Sequence, residues 1–495
     1  MSETQLPTQE EVRAAYQKGE EAVVALVERL IGMNRSLEAR IQALEDRLNK
    51  DSHNSSKPPT SDGLKKGHKH GLRHKSGKKN GGQEGHEGHR LEPVADPKQI
   101  VVHAVVRCHH CQAVLEGVAV EKYEKRQVFD LPEKMELEVT EHRAEIKNCP
   151  QCGAVNEGEF PEGVTQETQY GPRVRAQMVY FNNYQFVPLE RTAEIMADLY
   201  HQPVSEGSVW AAVQEVARQV APEMEQIKEH LIQTEEAVHF DETGARVKGK
   251  LNWLHSMSTA LVTFFVIHPK RGSEAMDQIG ILPKRTGSCI HDYWKPYLKY
   301  TQAKHGLCGA HLLRELTFLV ENYQQTWAEA MIQLLTEIQK AVTAAKALGQ
   351  EAFSPEQLTD FRNRYDQIVA EGLSANPPPE RTEESARRRG RVKQTPSKNL
   401  LDRLRDHPEK ILAYMYDFDV PFDNNQAERD IRMAKLKQKI SGCFRSDDGS
   451  TAFCQVRSYI STAHKNEQPI LGALYSALIG TPYIPAFITA KMAEQ

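Results

Sequence analysis

The chain has 495 residues, and its 63 Lys and Arg set against 67 Asp and Glu leave a formal net charge of −4. This near-neutral total argues against a protein that binds polyanions over its whole surface. With 39% apolar residues, the composition also excludes a disordered or fibrous chain, and the length suggests about three domains.

The segment Met1 to Glu11 is polar and acidic, without the basic and apolar regions of a signal peptide. The longest strongly apolar run, Leu261 to Ile267, is far shorter than the roughly 20 residues of a membrane helix. The sequence therefore predicts a cytoplasmic protein with no membrane partner. In a reducing compartment, closely paired cysteines indicate a metal site rather than disulfides.

From about Glu21 to Lys50, apolar residues recur at steps of four and three on a background of Glu and Arg. They are Leu26, Leu30, Met33, Leu37, Ile41, Leu44 and Leu48. Such a repeat keeps an apolar seam on one side of a helix. The seam predicts that copies of the chain associate through a short coiled coil. The alternative is that it packs on the body of its own chain.

Residues 51–99 are rich in Ser, Pro, Gly, His and Lys, and this composition predicts a flexible linker. Between Lys57 and Arg90, nine Lys and Arg stand against three Asp and Glu, a local charge of +6. Such a segment can lie along a phosphate backbone, and Lys57, Lys65 and Lys66 are its candidate DNA contacts. The alternative is a solvated linker without a DNA-binding role.

Two Cys-x-x-Cys pairs mark the next part of the chain. They are Cys108 with Cys111, and Cys149 with Cys152. Alternating stretches at Gln127–Asp130 and Met135–Ile146 predict strands between the pairs. Two such pairs can supply four thiolates to a tetrahedral Zn²⁺, which would be structural because no coordination position is left for water. The alternative is four unrelated thiols.

A helical region follows. Pro188–His201 and Ser205–Val216 predict two helices joined by a short turn, with Ser205 as the N-cap of the second. This outline is that of a helix-turn-helix, whose second helix would enter the major groove near Ser205–Trp210. Many helical hairpins share the outline without touching DNA, so both interpretations stay open.

Two carboxylates follow apolar runs that predict neighbouring strands: Asp241 after Ala237–Phe240, and Asp292 after Ser288–His291. Between them the sequence predicts strands at Leu251–Ser258 and Leu261–Ile267 and a helix at Ser273–Ile279. Carboxylates at the ends of neighbouring strands can point at one spot, and both stay ionised only if a cation lies between them. Glu242 would point to the opposite face of its strand and is the poorer ligand.

Glu428 is the third candidate acid. If Asn425 is a helix N-cap, Glu428 stands at position N3 and could close a capping box instead of binding a metal. Cations continue the face of Glu428 along the same helix, a pattern that suits a metal ligand followed by phosphate contacts and also a solvated face. The candidate contacts with the DNA backbone in this region are Arg432, Lys435, Lys437, Lys439 and Arg445.

Between the second and third acids, Ala310–Leu348 and Pro355–Ala370 predict helices. The run Arg387–Lys398 then holds six Lys and Arg and no acid. Its candidate DNA contacts are Arg388, Arg389 and Arg391.

The basic segments change the meaning of the total charge. The stretches Lys57–Arg90, Arg387–Lys398 and Arg429–Arg445 together carry +17, so the remaining residues carry −21. This segregation, rather than the total, indicates nucleic acid as the partner.

These motifs, in this order, resemble the insertion sequence 66 family of bacterial DDE transposases. The resemblance rests on Asn54-Ser55-Ser56-Lys57-Pro58-Pro59 with Ser61-Asp62, the two cysteine pairs, His239-Phe240-Asp241-Glu242-Thr243, Asp292 with Tyr293 and Tyr297, and Asn425-Gln426-Ala427-Glu428-Arg429. It implies an α/β multidomain protein: an RNase H-like catalytic core with a helical insertion, preceded by a coiled-coil helix, a small zinc-binding β module and a helical DNA-binding segment.

The resemblance also implies the ligands. The metal-binding catalytic triad would be Asp241, Asp292 and Glu428, and the zinc ligands would be Cys108, Cys111, Cys149 and Cys152. Cys308 and His311 resemble a C-x-x-H element found after the second Asp in several DDE groups, and a core pair at a helix start is the alternative.

The expected domains follow from these assignments. They are a coiled-coil helix (1–50), a basic linker (51–99), a zinc module (100–155), a helical segment that includes the candidate helix-turn-helix (156–231), the first part of the core (232–310), a helical insertion with a basic loop (311–415), the core helix with the third acid (416–455) and a C-terminal helical segment (456–495).

On this interpretation the protein is a Mg²⁺- or Mn²⁺-dependent enzyme that cuts insertion-element ends and joins them to target DNA. Two ions about 3.5–4 Å apart would clamp the attacking and leaving oxygens. Asp241 would bridge both ions, and Asp292 and Glu428 would each hold one. Expected partners are the terminal inverted repeats, target DNA, further copies of the chain and accessory proteins of the same element, in the nucleoid of a bacterial cytoplasm.

Two other functions fit parts of the pattern. A non-catalytic, zinc-containing DNA-binding regulator would use the coiled coil and the basic linker. A metal-dependent nuclease would cut without joining.

Overall fold

The computed structural model describes residues 6–55, 57, 91–378 and 394–493. Its strands are β1 (Ile146–Asn148), β2 (Val155–Glu157), β3 (Val238–Val247), β4 (Lys250–Ser258), β5 (Thr263–His268), β6 (Ser288–His291) and β7 (Lys304–Leu307). Its α-helices are α1 (Gln9–Lys18), α2 (Glu20–Asn49), α3 (Pro172–Val179), α4 (Leu189–Tyr200), α5 (Glu206–Gln219), α6 (Ala221–Gln233), α7 (Ser273–Ile279), α8 (Gly309–Tyr323), α9 (Thr326–Ala347), α10 (Pro355–Ala375), α11 (Pro396–Asp406), α12 (Pro408–Ile411), α13 (Ala413–Tyr416), α14 (Asn425–Ser441), α15 (Asp447–Lys465), α16 (Ile470–Leu478) and α17 (Ala486–Ala493).

The chain divides into two units. The larger comprises Met1–Lys69, Thr168–Ala193 and Val204–Gln495, and the smaller comprises His70–Glu167 and Glu194–Pro203. None of the described helices combines the length and the apolar character needed to cross a membrane.

A five-stranded mixed sheet lies in the larger unit, with strand order β5-β4-β3-β6-β7. The strands β3, β4 and β5 pair antiparallel, whereas β6 runs parallel to β3 and β7 parallel to β6. The predicted strands before Asp241 and Asp292 are confirmed as β3 and β6, the two between them as β4 and β5, and the predicted helix as α7. The sheet is thus mixed, with β3 at its centre.

The sequence did not predict β7, because Lys304-His305-Gly306-Leu307 has no β-branched residue and no alternation. The strand nevertheless packs tightly against its neighbour. A Cβ on Gly306 would lie 2.6 Å from Cδ1 of Ile290 on β6. A larger residue at this position would therefore have to displace the buried side chain of Ile290.

Helix α15 covers the open edge of β5. The side-chain oxygens of Ser458 and Thr462 accept hydrogen bonds from the backbone amides of Phe265 and Thr263, at 2.9 and 3.1 Å. An edge strand exposes unpaired backbone donors that can recruit another strand. On β5 these two donors are satisfied by a helix.

The predicted helices between the second and third acids are confirmed. The first is interrupted at Gln324, which has a left-handed conformation (φ 50°) that ends α8 before α9 begins. Ser354 closes a capping box with Gln357 at the start of α10, and Pro355 stands at its first position. The core of this region includes Trp327, Leu335, Tyr365, Leu401 and Leu412.

The predicted N-terminal helix is confirmed, and Gly19 with φ 99° separates α1 from α2. None of the seven seam residues is buried, and Leu37, Ile41, Leu44 and Leu48 are exposed. The described part of the chain leaves the seam open from Leu37 to Leu48, whereas Leu26, Leu30 and Met33 are partly covered. The prediction that Asp51 begins a flexible linker is wrong for the first residues, since Asp51–Ser55 forms a turn in which Asp51 and Asn54 are buried.

The two helices predicted around Ser205 are confirmed as α4 and α5, and the Ser205 hydroxyl caps α5 by accepting a bond from the amide of Ser208. The apolar face of α5 is buried in the larger unit: Val209, Ala212, Val213, Val216 and Ala217. Before Arg218, α5 has no Lys or Arg, and Glu206 stands in its first turn. A recognition helix normally meets phosphates and bases with cationic or polar residues at this end, so α5 is a poor match.

In the smaller unit, β1 and β2 pair antiparallel. The predicted strands at 127–130 and 135–146 are wrong apart from Ile146, since residues 127–145 form no ladder. Val128 and Val139 of these stretches are 90% and 91% exposed. An alternating pattern yields a strand only where a partner strand and a buried face are available, and the described part of the chain supplies neither to residues 127–145.

Candidate active site

Asp241 and Asp292 lie side by side on the two central parallel strands. His239 of β3 pairs with Ile290 of β6, so two residues further along, Asp241 is level with Asp292. Asp241 Oδ1 accepts the backbone amide of Glu242 at 2.9 Å, and Asp292 Oδ1 accepts that of Trp294 at 3.0 Å. The structure thus brings the first two predicted acids together.

Glu428 reaches the same place from the first turn of α14. This helix lies along β3, where Lys435 Nζ and Gln438 Nε2 both donate to the carbonyl oxygen of Gly244, at 3.1 and 3.2 Å. Burial raises the pKa of Asp241 well above its usual range, and the negative charges of Glu242, Asp292 and Glu428 raise it further. The three predicted acids therefore share one electrostatic environment.

This cluster suits a divalent cation. Oxygen Oε1 of Glu428 is buried and has no hydrogen-bond partner within the described part of the chain. Like charges held this close disfavour ionisation of one another, and a bound cation reverses that effect. The donor set of three carboxylates is one that Mg²⁺ and Mn²⁺ prefer.

The capping box considered for Glu428 is wrong. The N-cap of α14 is Asn424 rather than Asn425, and its side chain makes no capping bond. Asn424 instead bonds to His239 Nδ1 at 2.8 Å and donates to the carbonyl of Phe240 at 2.7 Å, while its backbone amide donates to Cys308 Sγ at 3.2 Å. This residue, which sequence analysis missed, ties α14 to β3 and to the start of α8, so it positions Glu428 beside Asp241.

Glu242 is held on the other side of β3, as the alternation predicted. Its side chain is 2% exposed, and its Oε1 accepts from Arg271 Nε at 2.7 Å, while Oε2 accepts from the Tyr297 hydroxyl at 2.5 Å. The Arg271 guanidinium lies between the rings of Trp253 and Trp294, 4.9 and 4.0 Å from their centroids. Glu242 thus has its own hydrogen-bond partners on the opposite face of β3, although its charge also acts on Asp241.

Two buried histidines support the strand that carries Asp292. His291 Nε2 and His305 Nδ1 are 2.8 Å apart, and His291 stacks on Tyr297 with 4.4 Å between ring centroids. Burial lowers the pKa of His291 to about 3, so both nitrogens serve as neutral hydrogen-bonding groups. Sequence analysis did not identify this pair.

Cys308 and His311 at the start of α8 join Glu428 in a second arrangement. One ligand atom of each lies within 4.8 Å of the others, the one such group of three among the described residues. His311 Nδ1 and Arg314 Nη1 lie 3.7 and 3.9 Å from Glu428 Oε1. The C-x-x-H element therefore adjoins the third acid, although Cys308 is buried and burial raises the pKa of its thiol to about 12.

A family model described as Transposase IS66 family matches residues 167–452, which is more than half of the chain and contains all three acids. The chain belongs to the IS66 transposase family. A second model, a family of unknown function (DUF6444), matches residues 4–92. No curated protein matches the chain. Membership implies an enzyme that binds, cleaves and transfers DNA, and such transposases generally use divalent metals.

The candidate DNA contacts of this transposase differ in their surroundings. On α14, Arg432, Lys435 and Lys439 are exposed, as is Arg445 beyond it. Lys437 lies with its ammonium 5.8 Å from the centre of the Phe453 ring, and burial lowers its pKa to about 8. Lys437 is thus the least suited of these cations to reach a phosphate.

The remaining candidates fall in or beside the basic segments. The ammonium group of Lys57 donates to the carbonyls of Arg47 and Lys50, at 3.4 and 2.9 Å, where it caps the end of α2. Lys65, Lys66, Arg388, Arg389 and Arg391 lie outside the described residues.

The two cysteine pairs of this IS66 protein form matching turns in the smaller unit. The amide of Gln112 donates to Cys108 O at 3.0 Å, and that of Gly153 to Cys149 O at 2.8 Å. Hydrogen bonds from the backbone within each turn lower the pKa of the Cys108 and Cys149 thiols. No three of the four sulfurs lie within 4.8 Å of one another, so each pair is formed but the pairs are not joined.

Proposed function

We propose that this protein is a DDE transposase with Asp241, Asp292 and Glu428 as its catalytic metal ligands. The convergence of these three carboxylates from β3, β6 and α14 is the observation that carries the proposal. The sheet order β5-β4-β3-β6-β7, with acids on the first and fourth strands of the sheet in chain order and on a later helix, supports an RNase H-like core.

Two Mg²⁺ or Mn²⁺ ions bound by these residues would supply Lewis-acid stabilisation of the attacking and leaving oxygens. The protein's own part is to hold the three carboxylates in one place. Asn424 fixes Glu428 against β3, and Arg271 with Tyr297 keeps Glu242 out of the cluster. Water would cut the strand at the insertion-element end, and the freed 3′-hydroxyl would then attack target DNA, so no covalent protein–DNA intermediate is needed.

DNA would be held by the exposed cations of α14. Arg432, Lys435 and Lys439 follow Glu428 along this helix, and cations so placed neutralise backbone phosphates without reading bases. The basic segments Lys57–Arg90 and Arg387–Lys398 would extend this contact.

A structural Zn²⁺ would be held by Cys108, Cys111, Cys149 and Cys152. The matching turns, each presenting two thiols, support this assignment. With Zn–S bonds of about 2.3 Å, the two pairs must approach one another to close a tetrahedral site.

The test compares the protein with Asp241→Asn on DNA that carries the element ends, with Mg²⁺ present. We expect the substitution to reduce strand cleavage by at least about a thousandfold, as loss of a member of a catalytic set does. Asp419→Asn is the matched control, because Asp419 precedes α14 in the chain, pairs with Lys346 and has a side chain that is 95% exposed. Equal cleavage by the protein and Asp241→Asn would refute the triad.

The products separate this proposal from the two other functions. Joined products show a transposase, and cleavage without joining shows a nuclease. Binding of the ends with no Mg²⁺-dependent cleavage would show a regulator.

A further inference from the structure

The turn after α2 is docked on α8 through buried polar groups. The Asn54 side chain donates to Glu321 Oε2 at 2.9 Å and to the carbonyl of Asn49 at 3.0 Å, and accepts from the amide of Asp51 at 2.9 Å. Asn54 is 2% and Asp51 6% exposed. Buried polar groups with this many partners specify one geometry, because displacement would leave them unsatisfied.

The last turns of α2 add further contacts to the same helix. The Tyr323 hydroxyl lies 2.8 and 2.7 Å from the two carboxylate oxygens of Asp46, and the ammonium of Lys50 lies 5.0 Å from the centre of the Phe318 ring. His53 Nε2 is 3.6 Å from Glu321 Oε1. Together with Asn54 these residues form a joint between α2 and the C-terminal half of α8.

The N-terminal half of α8 supports the acids. His311 and Arg314 lie beside Glu428, and the backbone amide of Asn424 bonds to Cys308 just before the helix. Midway along α8, Glu315 pairs with Arg403, whose guanidinium lies 4.5 Å from the ring centre of Tyr293, the residue after Asp292. One helix therefore contacts the joint at one end and the surroundings of two catalytic acids at the other.

Beyond the joint, α2 carries an apolar surface that the chain leaves open. Leu37, Ile41, Leu44 and Leu48 are 45 to 75% exposed, and they form the C-terminal part of the seam, whose apolar residues recur at steps of four and three. Charges of both signs flank them, including Arg35, Glu38, Arg40 and Glu45. A second copy of the chain presents the same seam with the same mixed charges and so is its complement.

We propose that α2 is a pairing arm: a second copy binds along the seam, and the joint on α8 holds the arm in one direction relative to the catalytic acids. Pairing through the arm would then fix how two catalytic centres face two DNA ends. The catalytic consequence rests on the proposed function, whereas the pairing and the joint do not. The proposal assigns a role to part of the segment matched by the family of unknown function.

Two variants of the full chain separate the seam from the joint. The seam variant is Leu37→Gln with Leu44→Gln, and its matched control is Val24→Gln with Val27→Gln, which lie on α2 outside the seam and are 50% and 46% exposed. The joint variant is Asn54→Ala with Tyr323→Phe. All four substituted positions, two in the seam variant and two in its control, are exposed, so folding should be unaffected.

Light scattering and hydrogen exchange test the arm without any DNA. We expect the protein and the control to have twice the mass of the seam variant. The joint variant should stay paired. Its backbone amide hydrogens in Asp51–Ser55 should exchange with solvent at least about tenfold faster, because each lost buried hydrogen bond weakens the joint. A seam variant of unchanged mass, or unchanged exchange in the joint variant, would overturn the proposal.

DNA cleavage then tests whether the joint couples pairing of the arms to the action of two catalytic centres. The joint variant should nick a single element end within about threefold of the protein's rate but cut two ends together at least about tenfold more slowly. Equal loss on both substrates would show that the joint merely supports the fold and would contradict the coupling. Absence of nicking by the unsubstituted protein would refute the proposed function, while the mass and exchange results would still decide on the arm. If the double substitution prevents folding, Tyr323→Phe alone replaces it in both measurements.

Discussion

The acid cluster and the cysteine pairs are both sets of side chains that can bind metals, but the fold holds the two sets in different ways. The acids stand on or beside the central strands and on a packed helix, and the fold itself brings them together. The cysteines stand on turns in a unit whose strands β1 and β2 have only exposed residues, and their sulfurs remain apart. A buried core can hold like charges together at a cost in stability, whereas a unit with little core needs its ligand to bring its parts together.

The largest effect should come from zinc. We expect about one zinc per chain, lost on Cys149→Ser, because four thiolates close a structural site. The loss should make the smaller unit sensitive to protease while the larger unit melts as before. Cys443→Ser is the control, since Cys443 is exposed and outside both pairs. Elemental analysis that finds no zinc would refute the assignment of the four cysteines as zinc ligands.

Asn424→Ala should have the next largest effect, on the larger unit. The change leaves the carbonyl of Phe240 and Nδ1 of His239 without a partner in a buried place, which should lower the free energy of unfolding by about 2–4 kcal/mol. Urea unfolding followed by tryptophan fluorescence measures it. Asn425→Ala, which loses only the bond from its side-chain amide to the neighbouring carboxylate of Asp423, should cost far less. Similar losses for both would show that Asn424 is not the residue that secures α14.

Asp241→Asn should stabilise the metal-free protein. The folded pKa of Asp241 is raised above its unfolded value, so its contribution to stability is present at low pH and is lost as pH rises through the folded pKa. At neutral pH the amide should therefore raise the unfolding free energy by about 1–2 kcal/mol, and the gain should vanish near pH 4. Thermal melts over pH with a chelator test this. Added Mg²⁺ should stabilise the unsubstituted protein more than the variant. A variant that is less stable than the protein at neutral pH would show that ionised Asp241 does not destabilise the metal-free fold.

The smallest effect concerns single cations on α14. Lys439→Gln should reduce the salt dependence of DNA binding by about one released counterion, because the side chain is exposed. Lys437→Gln is the matched control and should leave the slope unchanged, since its ammonium lies against Phe453. Titrations at several salt concentrations measure both slopes. Equal salt dependences for the two variants would show that Lys439 and Lys437 do not differ in their contact with phosphate.

The strands and the acids could be predicted because local patterns carry them. Buried apolar runs ending at Asp241 and Asp292 identify neighbouring strands, and the helix at Ser273–Ile279 has a clear periodicity. What could not be predicted depends on distant partners. The sequence offers Asn425 as the candidate cap and gives Asn424 no separate role, yet the side chain of Asn424 bonds to β3, 184 and 185 residues away.

The errors have the same cause. Alternation at Met135–Ile146 predicts a strand, but a strand also needs a neighbour to bond with, and the sequence does not say whether one is present. The polar composition after Asp51 predicts flexibility, yet Asn54 donates to Glu321 on α8 and to the carbonyl of Asn49 at the end of α2. Asp51 is bonded to Asn54 within the turn. Composition indicates whether a segment can bury enough surface to fold alone. It does not show which hydrogen bonds and burial another helix will provide.

Helix α15, which covers the edge of β5, matters for copies of the gene that encode a truncated protein. Ser458 and Thr462, which occupy the amides of Phe265 and Thr263, lie on a helix that begins only at Asp447, after the third acid. A polypeptide terminated by a nonsense codon just before that helix would keep all three of the proposed catalytic carboxylates but would expose a strand edge that can recruit further strands. Such a product should accumulate in inclusion bodies rather than persist as a dominant-negative competitor for DNA.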